Sequence, residues 1–205
     1  MTLRKWLFPV VALTLLTVGC YMTNMTTART VGAGKVGLTA GVGVVPFAVD
    51  LDSDDILDFD TDVVLIEPQA RLDVGLSDAV DLGFQTGLML VSGAEGFGWL
   101  GALADVKWAF LDDPDSVTFS LGGGAGVTLA GGVVEAHLFF DSNVPFLPFY
   151  AAVKPRLAIG EGVGFIYDLS AGIHVEFSQN FRLIADWTTF TFALHTFGLG
   201  VQFIF

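Results

Sequence analysis

The sequence predicts an all-β fold, a closed antiparallel β-barrel of ten strands that crosses a membrane, with eight strands as the alternative. Hydrophobic residues make up 53% of the 205 residues and charged residues only 15%, which is too apolar for an ordinary water-facing surface. Beyond the first twenty residues, no apolar run approaches the ~18 residues that a membrane-crossing helix needs. The 25 glycines and a two-residue hydrophobic period favour strands, and a closed barrel is the other structure that crosses a bilayer.

The first five predicted strands show the alternation most clearly. At every second position they carry Val, Leu, Ala or aromatic residues, and between these lie Gly, Thr or charged residues; the strands are 35–44, 66–76, 80–90, 100–110 and 117–129. Ser77-Asp78 and the stretch 112–115, which reads DDPD, predict short turns. Residues 45–65 therefore form a long loop between the first two strands.

The second five predicted strands follow the same rule, with one weaker member. They are 133–140, 149–159, 165–177, 181–188 and 195–205, and the segments 141–143, 160–162 and 178–180 are rich in turn-forming residues. The pattern in 133–140 is the weakest. Removing it would leave nine strands, whereas an even number is needed if the barrel begins and ends on the same side of the membrane.

The charged residues predict which face of the strands points inward. All of them fall on the Gly- and Thr-rich face; the basic ones are Lys35, Arg71, Lys107, Lys154, Arg156 and Arg182, and the acidic ones are Glu67, Asp73, Asp81, Asp105, Glu135, Asp168, Glu176 and Asp186. A basic residue facing lipid at the membrane midplane would cost ~2–4 kcal/mol. A lipocalin-like soluble barrel would instead need all the Phe, Trp, Leu and Val to fit inside, which is too much volume for ten strands.

Two further features concern the apolar face. Trp108, Phe110, Phe177, Phe181, Trp187, Phe203 and Phe205 are expected near the periplasmic strand ends as an aromatic girdle. Pro68 and Pro155 lie within predicted strands, where each removes a hydrogen-bond donor from the ladder. We expect a bulge or an edge-like irregularity at each proline.

The N-terminus has the pattern of a targeting segment. Arg4 and Lys5 precede the apolar stretch 6–18, which ends in Thr17-Val18-Gly19-Cys20. This resembles the lipobox of bacterial lipoprotein signal peptides, although leucine is usual where Thr17 stands. The resemblance implies a signal peptide at 1–19, acylation of Cys20, a periplasmic tether at 20–32, and a lipid anchor on the periplasmic leaflet of the outer membrane. An ordinary cleaved signal is the alternative.

The C-terminal strand ends in aromatic residues at alternate positions. The stretch Gly200-Val-Gln-Phe-Ile-Phe205 resembles the C-terminal β-signal of bacterial outer-membrane proteins, except that Leu199 stands where a polar residue usually precedes the glycine. The resemblance implies a barrel spanning 33–205, recognition of the last strand by the barrel-assembly machinery, and closure of that strand against the first. Outer-membrane lipid is the other expected partner.

Overall charge and the acidic loop limit the ligands that the chain can bind. The formal charge of −13 argues against nucleic acid. The external loop 48–62 contains seven aspartates, and Asp50, Asp52 and Asp54 have the spacing of calcium ligands. Asp55, however, stands where an EF-hand needs glycine, so the prediction is a solvated loop without a metal or other cofactor.

No catalytic site is predicted. His137, His174 and His195 are candidates for an outer-membrane lipid-modifying hydrolase, but Ser170 would lie ~13 Å from His174 along the same strand face. The inward charges favour a lumen closed by ion pairs over an open pore. We therefore expect a non-enzymatic role in envelope structure or surface interaction, with a narrow transport pore as the first alternative and a hydrolase as the second.

Overall fold

A computed structural model of the chain describes residues 24–45, 48–50, 58–60, 64–91, 97–113, 116–128, 131–142, 144, 148–160, 163–190 and 194–205. These residues form twelve strands: β1 Val36–Val45, β2 Ala48–Asp50, β3 Asp58–Asp60, β4 Leu65–Ser77, β5 Val80–Val91, β6 Phe97–Asp112, β7 Val117–Thr128, β8 Gly131–Ser142, β9 Phe149–Ile159, β10 Val163–Ser178, β11 Phe181–Phe190 and β12 Leu194–Ile204. All ten predicted strands are confirmed, including the weak block that became β8.

Ten of these strands form one closed antiparallel barrel. Their order around the barrel is β1, β12, β11, β10, β9, β8, β7, β6, β5 and β4, so each strand pairs with its neighbours in the chain and β12 closes against β1. The remaining two strands, β2 and β3, pair with each other in the long loop between β1 and β4. The rest of the acidic loop, 51–57 and 61–63, lies outside the described residues.

The two ends of the barrel differ in their connections. At one end, Asp78-Ala79 and Gln179-Asn180 form two-residue turns, and β1 begins and β12 ends there. We call this the turn end. At the opposite end, called the loop end, the connection from β1 to β4 is the longest between barrel strands.

The outward and inward faces agree with the prediction. Leucine, valine and aromatic residues of the barrel strands are exposed on the outside, whereas the charged residues predicted to face inward are buried, apart from Glu176 and Lys35. Lys35 is exposed in the turn that precedes β1 rather than on the inner face. The outward assignment of Leu100 was wrong: the pairing of β5 with β6 shifts between Gly87 and Leu88, and this bulge turns Leu100 into the lumen.

Both prolines coincide with gaps in the strand ladders. Pro68 pairs with Val42 of β1, but the β4–β5 ladder is interrupted between Ile66 and Gln69. Pro155 pairs with Tyr167, and the β8–β9 ladder is interrupted on its other side. The irregularities expected at the two prolines are therefore confirmed, because a proline lacks the N–H that the interrupted ladder would use.

Aromatic rings surround the turn end. Successive ring contacts with centroid separations of 5.1–6.4 Å join Trp108, Phe110, Phe119, Phe140 and Phe149, and a second group joins Phe177, Phe181 and Phe203. Trp187 was wrongly placed in this girdle. Trp187 lies six residues after the start of β11, roughly 14 Å nearer the loop end. There it pairs with Phe197.

Candidate functional site in the barrel lumen

The lumen is filled by charged side chains that pair across the strands. One group, which we call the wall cluster, consists of Arg71, Asp73 and Asp105. The Arg71 guanidinium donates from Nη1 and Nη2 to the two carboxylate oxygens of Asp105 at 2.6 and 2.8 Å, and from Nε to Asp73 at 2.9 Å. All three side chains are at most 3% exposed. Two carboxylates on one guanidinium satisfy most of its donors, which a buried arginine requires.

Gly83 explains how the wall cluster can form. Arg71 lies on β4 and Asp105 on β6, and Gly83 of β5 stands between them, paired with Asp73 on one side and Asp105 on the other. A Cβ at Gly83 would overlap the Arg71 guanidinium and lie 2.7 Å from a carboxylate oxygen of Asp105. The missing side chain therefore makes the space in which the arginine crosses one strand to reach the next.

Other inward glycines have the same role. A Cβ at Gly122 would overlap the His137 ring, and one at Gly172 would lie 2.6 Å from the Tyr150 ring. Large lumen side chains thus lie flat over glycines of the neighbouring strand. This accounts for the Gly-rich polar face that the sequence displays.

A second charged group lies on β8, β9 and β10. Arg156 pairs with Glu135 and Asp168, each at 2.9 Å. Lys154 lies 5.4 Å from the centroid of the Phe139 ring, and both side chains are buried. The ion pairs extend the closure of the lumen to the wall opposite β1.

The chain before β1 is also inside the barrel. Residues 24–31, which we call the lumen segment, are buried apart from half-buried Arg29 and Thr30. Gly32 and Gly34 have φ angles of 91° and 71°, a conformation that favours glycine, and they form the tight turn that folds the segment back into the barrel. The turn is fixed by backbone hydrogen bonds from Lys35 to Gly32 and from Gly34 to Gly75.

Charged side chains hold the lumen segment near the turn end. The Lys107 ammonium donates to the backbone carbonyls of Thr27 and Arg29 at 3.1 and 2.7 Å. Arg29 pairs with Glu176 at 2.7 Å and lies 3.7 Å from Asp141. We call Lys107, Arg29, Glu176 and Asp141 the anchor cluster.

The first described residues of the segment lie deeper in the barrel. The Asn24 backbone N–H donates to Asp186 at 2.7 Å, and the Tyr150 hydroxyl donates to the Asn24 carbonyl at 3.1 Å. The Met25 side chain packs where β1 and β12 carry Gly41 and Gly200, since a Cβ at either glycine would come within 2.7 Å of it. The segment thus fills space that the small residues of the β1–β12 wall leave open.

The sequence interpretation missed this segment. It assigned residues 20–32 to a tether, whereas 24–31 lie in the lumen. Cys20, the predicted acylation site, lies outside the described residues, so its modification stays a prediction. A hint was available in the Gly- and Thr-rich strand β1, whose small inward residues leave space beside them in the lumen.

Among the described residues, the three histidines each have different partners. His174 bonds Asp141 at 2.6 Å, and Ser170 bonds Thr188 rather than a histidine. His137 lies 3.5 Å from Glu135. His195 stacks on Trp187 with ring centroids 5.6 Å apart.

Among the residues that the structure describes, no group of three or more His, Cys, Asp or Glu side chains is arranged to hold a metal ion. In the same part of the chain, no helix has the length and apolar character needed to cross a membrane.

Comparison with known proteins finds similar structures but no matching sequences. No family model and no curated protein matches the sequence. The N-terminal β-barrel domain of Pseudomonas aeruginosa OprF matches with a TM-score of 0.36 and 17% identity, over 85% of this chain and 99% of that one. The KdgM porin in complex with disordered oligogalacturonate matches with a TM-score of 0.40 and 8% identity, over 82% and 98%.

A third structure with this likeness is Ail, the attachment invasion locus protein of Yersinia pestis. Its TM-score is 0.34 and its identity 11%, over 84% of this chain and 99% of that one. All three proteins are distant from this chain by both measures. The likenesses therefore do not assign it to any of their families.

Proposed function

We propose that this chain is a bacterial outer-membrane β-barrel with a closed lumen, acting in envelope structure or in surface contacts made by its loops, and not as an enzyme. The observation that carries the proposal is the lumen segment seated among buried ion pairs. A lumen occupied by its own chain and by paired charges leaves no continuous aqueous path. The remaining surfaces for interaction are the lipid-facing wall and the two ends.

The outer surface supports a membrane location. Large apolar side chains project outward from every barrel strand, and Phe84, Trp108 and Leu121 are 44–52% exposed. A water-facing barrel would have to leave this whole surface unburied. Aromatic rings at the turn end match the interfacial girdles of transmembrane barrels.

The proposed orientation rests on the longest connection, from β1 to β4, which lies at the loop end. Transmembrane barrels of bacteria have short periplasmic turns and longer external loops. We therefore place the turn end in the periplasm and the acidic loop outside. Negative charge on that loop would make surface contacts through cations or basic partners.

Assembly and anchoring extend the proposal. Phe203 of β12 and Phe205, which follows β12, are exposed on the outer face. This supports recognition by the barrel-assembly machinery. We propose acylation of Cys20 as an additional attachment to outer-membrane lipid, because two or three acyl chains give firm anchoring.

The test is ion conductance across a planar lipid bilayer. The native protein, shown to be folded by heat-modifiable migration on a gel, is expected to give no steady channel openings. Steady openings of the folded native protein would contradict the closed lumen and favour a transport pore.

A narrow, gated transport pore is the second candidate, and one observation favours it. The lumen segment belongs to none of the strand ladders and is held by side-chain contacts, so it can in principle leave without breaking the barrel. A variant lacking residues 24–31 that conducts, while the native chain stays silent, would indicate gating by this segment.

A further inference from the structure

We propose that residues 163–166 of β10, which we call the open edge, are a docking site for an extended basic strand of a partner protein. The partner strand would add to the barrel sheet beside β10 at the loop end. This inference rests on the proposed surface role and names the kind of partner that would be bound there.

Among the described residues, the open edge has a neighbouring strand on one side. β10 pairs with β9 from Val163 onward, whereas its pairing with β11 begins at Asp168, opposite Phe190. Three residues join Phe190 to Leu194, and those two residues pair with each other. The β11–β12 ladder therefore ends nearer the turn end than the open edge does. The short strands β2 and β3 of the β1–β4 connection pair with each other.

The register shows where the backbone groups of the open edge point. The His174 N–H donates to the carbonyl of Pro148, just before β9, and the β9–β10 register has no shift up to Val163. Backbone groups of alternate residues point to opposite neighbours, so even-numbered residues of β10 bond β9. The N–H and C=O of Val163 and Phe165 therefore point to the side without a described partner strand. Unpaired groups of this kind are a template for an added strand.

The open edge lies beyond the lipid-facing part of the wall. Phe177, in the aromatic group at the turn end, and Phe165 lie twelve residues apart on the outer face of β10. This corresponds to roughly 29 Å of height for a strand tilted by about 45°, whereas the apolar band of a transmembrane barrel is about 25 Å tall. Val163 and Phe165, 72% and 70% exposed, are therefore expected outside the hydrocarbon, where an open sheet edge is tolerated.

Charge complementarity indicates a basic partner strand. The connections at the loop end contain the seven aspartates of 48–62 together with Glu95 and Glu161, and they contain no lysine or arginine. A second copy of the chain would bring two such acidic ends together, and these would repel each other. A strand that alternates apolar and basic residues places its apolar side chains beside Val163 and Phe165. Its positive charges then lie on the opposite face, at the acidic loop end.

The experiment measures peptide binding to the purified full chain, folded in nanodiscs of zwitterionic phosphatidylcholine. The probes are two dye-labelled peptides of about eight residues, an ordinary strand length, one alternating valine with lysine and the other valine with glutamate. Phe165→Pro removes an N–H of the open edge, a change that an edge strand tolerates. Phe165→Leu is its matched control, because it keeps the N–H and an apolar side chain.

A second variant covers the case in which Phe165→Pro fails to fold. Val163→Lys keeps every backbone group and sets a like charge against the lysine peptide. Heat-modifiable migration on a gel confirms that each variant is folded.

We expect the lysine peptide to bind the native chain and Phe165→Leu equally well. It should bind Phe165→Pro and Val163→Lys about tenfold more weakly, since one main-chain hydrogen bond is lost in the first and a charge repulsion is added in the second. The glutamate peptide should not bind. Equal binding of the lysine peptide to the native chain and to both weakened variants would overturn the docking site, as would no binding to the folded native chain.

The lysine peptide fused to a fluorescent protein then tests the orientation on cells, with cells that lack the chain as background. Labelling of intact cells would agree with an external open edge. Binding in nanodiscs combined with labelling of cells only after permeabilisation would show that the proposed orientation has failed while the docking site stands.

Discussion

The wall cluster and the anchor cluster use the same chemistry for two different purposes. The wall cluster joins β4 to β6, and its side chains are at most 3% exposed. The anchor cluster joins strands to a segment that has no ladder hydrogen bonds, and its Arg29–Glu176 pair is 23% and 37% exposed. Burial therefore separates the Arg29–Glu176 pair from the Arg71–Asp105 pair more than distance does, since the two contacts are 2.7 and 2.6 Å long.

This difference predicts different energetic roles. Removing one partner of a fully buried ion pair costs about 3–5 kcal/mol, because the other charge is left without compensation. An exposed pair is worth about 0.2–1 kcal/mol. The wall cluster should therefore affect the stability of the whole barrel, whereas the anchor cluster should mainly set how firmly the lumen segment is held.

The largest effect is expected from Gly83→Val. The new side chain would displace the Arg71 guanidinium from Asp105 and overpack the lumen, with an expected loss of about 5 kcal/mol in the free energy of unfolding. Urea unfolding in lipid vesicles measures it. Gly164→Val is the matched control, since a Cβ at Gly164 meets no atom within 4 Å. Equal stability of the two variants would show that Gly83 does not make room for the cluster.

Asp105→Asn should destabilise the barrel somewhat less. Arg71 keeps Asp73 but loses two charged contacts, so we expect a loss of about 3 kcal/mol. The same unfolding measurement applies, with Asp113→Asn, at an exposed residue of the turn end, as the control. A loss below that of the control would mean that Asp73 alone satisfies the buried guanidinium.

Lys107→Met should have an intermediate effect with a local signature. Two carbonyls of the lumen segment lose their charged donor, and a hydrogen bond to a charged group contributes about 1.5–3 kcal/mol. We expect proteolysis or hydrogen exchange to rise most within 24–31. A general loss of barrel stability is added, because buried Asp81, 3.5 Å from the Lys107 ammonium, loses its partner. Exposed Lys35→Met is the control. Unchanged hydrogen exchange in residues 24–31 would show that Lys107 does not hold the lumen segment in place.

The smallest effect is expected from the Arg29–Glu176 pair. A double-mutant cycle with Arg29→Met and Glu176→Gln should give a coupling energy of about 0.2–1 kcal/mol, decreasing with added salt. Unfolding of the two single variants, the double variant and the native chain supplies the cycle. A salt-independent coupling of several kcal/mol would place this pair with the wall cluster instead.

The strands and their inner face could be predicted from sequence because alternation repeats over many residues. Even β8 was identified from its alternation. Glu135 and His137 share the inner face of that strand with Phe139, and all three are buried. Leu100 was misplaced because a bulge adds one residue, which reverses the face of everything beyond it. A bulge depends on the pairing partner, and a single strand does not reveal it.

The lumen segment could not be predicted by the same reasoning. Residues 24–30 read NMTTART, a polar stretch without alternation. Its position depends on contacts far away in the chain, such as Lys107 and Asp186, and on the shape of the space left by Gly41 and Gly200. The bonds to Lys107 and Asp186 join residues 80 and 162 positions apart in the chain, which a local sequence pattern does not reveal.

The seam between β1 and β12 has a consequence for the order of assembly. Val36 and Phe205 exchange both of their backbone hydrogen bonds, and the turn at residues 32–34 keeps the lumen segment directly beside that seam. A segment already lying against β1 when β12 arrives is enclosed by the closing wall. The barrel then does not have to open again to admit Met25 or Asn24. In this order of assembly, the lumen segment, which is synthesised before the barrel strands, forms part of the surface on which β12 docks.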